Sequence, residues 1–96
     1  MIKHIVCFKL KNSSPEECNK AAEILLSMKR NVPQIRSIEV GCDFLHSDRS
    51  YDIILQVVLD DHKALEAYQK DEYHCSVVKK HMHSVAQASV AIDYEI

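Results

Sequence analysis

Apolar and polar residues alternate over 2–11. Ile2, His4, Val6, Phe8 and Leu10 share one face, and Lys3, Ile5, Cys7, Lys9 and Lys11 share the other, as a half-buried strand requires. The period then lengthens. Ser14 is placed to cap a helix, Pro15 suits its first turn and Glu17 completes a capping box. Ala21, Ile24, Leu25 and Met28 follow at spacings of three and four, which predicts a helix over 15–31 that Pro33 ends. A second strand is expected over 35–45, with Ile38, Val40, Cys42 and Phe44 on one face, Ser37, Glu39 and Asp43 on the other, and Gly41 at a bulge or close approach. Residues 46–50 form a turn. The third strand, 51–59, is apolar on both faces at its centre: Ile53, Leu55 and Val57 on one, Ile54 and Val58 on the other. Asp60 or Asp61 caps a helix over 62–70 that places Leu65 and Tyr68 together, and a short helix follows over 76–82. In the last strand, 85–96, Ala88, Val90, Ile92 and Tyr94 take one face and Gln87, Ser89, Ala91 and Asp93 the other.

The order β-α-β-β-α-β is that of a ferredoxin-like α+β domain, with helices on one face of a four-stranded antiparallel sheet. One such domain accounts for residues 1–96. The face away from the helices still carries Ile5, Cys7, Ile54 and Val58. Water is a poor cover for such a face, so the expected partner is a second copy in a two-fold homodimer, two sheets closing a dimeric α/β barrel.

Composition narrows the function classes. The net charge is −2, and the longest basic cluster is Lys79-Lys80-His81, too little to track a phosphate backbone. No nucleic-acid partner is expected. No apolar run approaches the ~18 residues of a membrane span, so no membrane partner is expected either. The first residues read as a strand and lack the apolar core of a secretory leader, which points to the cytoplasm, where the four cysteines stay reduced. With one glycine in the whole chain there is no phosphate-binding loop. His74, Cys75, His81 and His83 form a histidine-rich patch, but a zinc site needs three or four converging ligands, and solvated surface is the default reading, with no metal.

Several stretches together resemble the stress-responsive dimeric α/β-barrel family known as Dabb: the opening MIKHIVCFKLK, IRSIEVGCDF, YDIILQVVLDDHKALEAYQKDEYH and the closing VAIDYE. The most specific marks are His4, Val40-Gly41 and the pair Tyr68 and His74. The resemblance implies a barrel of two ferredoxin-like subunits and an association with stress response. A plant member of the family, the cyclase that forms olivetolic acid, closes a linear poly-β-keto thioester by an aldol-type step without metal or cofactor. Tyr68 and His74 are similar in position to its tyrosine and histidine, and His4 to its first-strand histidine. Asp71 and Glu72 depart from the family's commoner His-Pro-x-His wording.

An aldol closure needs a base for an acidic C–H proton and a donor for the resulting oxyanion. On this reading His74 is the general base, Tyr68 the donor and His4 a further polar group. Val6, Phe8, Leu55 and Val57 line a cleft between helices and sheet. Tyr68 and His74 are six residues apart and converge only if the helix breaks between them, which the polar run Gln69 to Glu72 allows. The function expected is binding of a small apolar or carbonyl-containing ligand, with cofactor-free cyclase or lyase chemistry. The alternative is a non-catalytic, stress-related structural or interaction protein. A cofactor-free monooxygenase of the related barrels has little support in a chain without tryptophan.

Overall fold

A computed structural model describes all residues, 1–96. Four strands, β1 (Ile2–Leu10), β2 (Ser37–Cys42), β3 (Ile53–Leu59) and β4 (Ala86–Glu95), form one sheet in the order β2-β3-β1-β4. Every neighbouring pair is antiparallel. The helices are α1 (Pro15–Leu26), α2 (Met28–Asn31), α3 (His62–Lys70) and α4 (Lys80–Val85), with a π-helical segment, His74–Lys79, leading into α4. The architecture is the ferredoxin-like α+β arrangement that the element order predicts.

The local causes are visible. Ser14 Oγ accepts the Glu17 N–H at 3.3 Å and starts α1. The helix expected over 15–31 is interrupted at Ser27. There the hydroxyl of Ser27 donates to the Ile24 carbonyl, in competition with the regular ladder, and in turn accepts from Tyr73 at 2.6 Å. Asp61, not Asp60, caps α3, accepting from Ala64 N–H at 2.8 Å. Asp60 pairs with Arg36 through two N–H donors and so ties the entry of β2 to the exit of β3.

The strands are shorter than their alternation implies. β2 stops at Cys42, opposite Ile53, where β3 begins. Phe44, expected on the same strand face as Ile38 and Val40, lies instead in the loop and is 90% exposed. Gly41 pairs with Ile54 in unbroken register, so no bulge is needed there. A register shift falls at Lys9 and Leu10. Beside it the buried Asp52 carboxylate accepts the Leu10 N–H at 2.7 Å, which satisfies a backbone donor the ladder leaves over.

The core lies between sheet and helices. Ile2, Leu10, Ile53, Leu55, Val57 and Leu59 come from the strands, and Ala21, Leu25, Met28, Tyr68, Val78 and Met82 from the helices. The opposite sheet face carries an apolar patch bordered by Lys3, Lys9, Glu39 and Gln56. The register sets Ile5 beside Ile92 and Cys7 between Val90 and Ile54. Val90, Ile92 and Tyr94 are 52%, 65% and 44% exposed. No helix is long and apolar enough to cross a membrane.

Candidate functional site

Asp71 ends α3 with extended backbone and then caps the following helical run, its side chain accepting the His74 N–H at 3.0 Å. The break that sequence spacing demands between Tyr68 and His74 is therefore made by one of the residues that departs from the family wording. The chain turns back, and the His74 ring comes to rest on Tyr68 with centroids 4.3 Å apart. From the sheet, His4 meets the other side of Tyr68 edge-on at 5.5 Å. All three side chains are buried.

Each ring has a defined role in the hydrogen bonding. His74 Nδ1 lies 2.9 Å from the Tyr68 carbonyl. A carbonyl only accepts, so Nδ1 carries the proton and the neutral ring keeps its lone pair on Nε2. Burial lowers the His74 pKa, and the nearby Lys79 ammonium adds to this against the opposing Tyr68 carbonyl. The ring is thus an acceptor at neutral pH. The Tyr68 hydroxyl points to the Met28 sulfur at 3.9 Å, a weak acceptor, and burial pushes its pKa well above the ordinary phenol value. It therefore stays an O–H group and stays in the core. His4 Nδ1 meets the Asp93 carboxylate at 2.5 Å, which fixes the tautomer of that ring.

A cavity of about 360 Å³ opens beside this trio, between the sheet and the helices. His4, Val6, Phe8, Leu55, Tyr68 and His74 all line it. Val57 does not: it is wholly buried beside the cavity, paired with His4 and Ile38 in the sheet. The histidine-rich patch is not simple solvated surface. His83 borders the cavity, and His81 Nε2 is buried without a partner. No three His, Cys, Asp or Glu side chains converge as a metal site would need. Of the cysteines, Cys18 is buried and burial raises its pKa, with Asp52 adding to the effect, so it is a poor nucleophile.

Three contributors escaped the sequence reading. Asp93 supports His4 from β4, and its signal was a carboxylate on the strand face opposite Val90 and Ile92. Leu25 walls the cavity from α1. Lys79 reaches the cavity rim, and its Nζ donates to the Gln69 carbonyl at 3.0 Å.

The sequence pattern of the Stress Responsive A/B Barrel Domain family, Dabb, matches residues 2–96. No curated protein matches the chain in sequence. Among solved structures, a dimeric protein of ferredoxin-like fold from Bacteroides fragilis is similar at 27% identity and TM-score 0.83, over 99% of this chain and 95% of that one. A Dabb family protein from Mesorhizobium loti has 22% identity and TM-score 0.73, over 99% and 95%. A hydroxynitrile lyase from Passiflora edulis shares the fold at 14% identity and TM-score 0.82, over 99% and 92%. The match over nearly the whole chain, on the β-α-β-β-α-β frame just described, makes this protein a member of the stress-responsive A/B barrel domain family.

Proposed function

We propose that this protein is a homodimer that binds a small, largely apolar molecule bearing a carbonyl group in the cavity between sheet and helices. His74 then acts as the proton-transfer group of a cofactor-free cyclase- or lyase-type step. The observation that carries this reading is the state of His74: buried in the cavity wall, Nδ1 committed to the Tyr68 carbonyl, and a lone pair left on Nε2. Val6, Phe8 and Leu55 supply the apolar wall. Tyr68 positions His74 through its backbone carbonyl and its ring, while its hydroxyl is held at Met28. His4, braced by Asp93, is the further polar group at the reacting end.

The fold is shared with a hydroxynitrile lyase, and a lyase-type step is in keeping with that likeness. The homodimer is supported by the exposed apolar face of Ile92, Val90 and Tyr94 and by the dimeric Bacteroides neighbour. Cytoplasmic residence and a part in stress response accompany this reading.

A second reading, ligand binding without turnover, is favoured by the Tyr68 hydroxyl, which is engaged with the Met28 thioether. Deuterium wash-in at the methyl group of acetophenone separates the two. General-base catalysis supplies about 10²–10⁴-fold, so the wild-type protein should exchange those protons at least about a hundredfold faster than His74→Gln. Binding of acetophenone with equal exchange rates in both proteins would remove the catalytic role and leave the binding module.

A further inference from the structure

We infer that the ligand of this cavity is a carboxylate anion with an apolar body, and that Lys79 receives its charge. The inference rests on the cavity being the ligand site, and it adds the substrate class.

Lys79 borders the cavity and is half-buried. Its ammonium donates to the Gln69 carbonyl, which ties the long side chain to the end of α3 and leaves two N–H donors. Satisfying that carbonyl is not reason enough for a lysine, because the Cys75 thiol reaches the same oxygen at 3.4 Å. No carboxylate lies within ion-pair distance of Lys79. The titratable groups in the cavity wall are His4, Tyr68, His74, Lys79 and His83, with no Asp or Glu among them. Two carboxylates stand close to the trio, and neither lines the cavity: Asp93 is engaged by His4, and Asp71 accepts the His74 N–H. The cavity therefore holds an apolar floor with an uncompensated cation at its edge, and charge-assisted hydrogen bonds to a carboxylate are the stronger kind.

The π-helical segment explains the placement. Residues five apart on an α-helix diverge by about 140°. The wider i→i+5 turn over His74–Lys79 reduces that divergence and brings lysine and histidine to one cavity. A carboxylate on Lys79 would then set the adjoining carbon atoms of the ligand next to His74.

The test is titration calorimetry at pH 7.5 and low ionic strength with octanoate and octanamide, which share a shape and differ in charge. The wild-type protein is expected to bind octanoate at least tenfold more tightly. Lys79→Met should abolish that preference and leave octanamide affinity within twofold. Lys79→Arg, which retains a cation, should keep the preference, and so should Lys80→Met, since Lys80 is exposed and off the cavity wall. Equal affinities in the wild-type protein, or a preference that survives Lys79→Met, would overturn the inference while the cavity reading stands. Failure of both probes to bind the wild-type protein would overturn both.

Discussion

His74 shows how a single side chain acquires a chemical state from its surroundings. Asp71 turns the backbone, Tyr68 holds one ring nitrogen and burial disfavours the charged form. The consequence for stability has a definite sign. The folded pKa lies below the unfolded value of about 6.5, so the unfolded chain binds more protons across that interval. The contribution of His74 is complete above the unfolded pKa and is lost as pH falls through the folded one. Urea unfolding at pH 7.5 and 5.5 should show a larger loss for the wild-type protein than for His74→Gln; parallel losses would mean that the ring is not held neutral. Asp93→Ala leaves His4 without its acceptor. Because the Asp93 side chain is 42% exposed, the expected cost is at the lower end, about 1 kcal/mol, a fall of about 4–8 °C in Tm. His4, Tyr68 and His74 were legible because residue type and family spacing mark them. Asp93 and Lys79 were not, since one depends on the pairing of β4 with β1 and the other on a widened helical turn.

Elements were legible wherever a cap or a period marked them. Ser14 and Asp61 start their helices through side-chain oxygens. Replacing Ser14 by alanine should cost about 1 kcal/mol, read as a lower urea midpoint with an unchanged slope. A change in slope would indicate a wider rearrangement. Strand ends were less legible, because alternation continues through Phe44 although pairing stops at Cys42. The ladder needs a partner residue as well as a suitable side chain. The helix expected over 76–82 is a π segment followed by α4, a difference in hydrogen-bond register that hydrophobic spacing does not encode. The interruption at Ser27 includes a hydrogen bond from Tyr73, 46 residues away, so no local window contains it.

At the scale of the molecule the two sheet faces have different duties: one is covered by helices and holds the cavity, and the other stays bare. The second was legible in the sequence because Ile5, Cys7, Ile54 and Val58 are apolar where a solvated face would be polar. Its largest exposed contributors, Val90, Ile92 and Tyr94, come from β4. Sedimentation velocity should find a species of twice the 11.0 kDa chain mass, and Ile92→Lys should shift it to the single chain. A wild-type monomer would leave that face without its proposed partner. The division of duties is tested most directly by mapping the amide chemical-shift changes that acetophenone causes in the wild-type protein. A ligand seated in the cavity should move Gln69, His74, Val78 and Ala86 and leave Ile92 and Tyr94 unmoved. Changes gathered on Val90, Ile92 and Tyr94, or none at saturating ligand, would contradict that division.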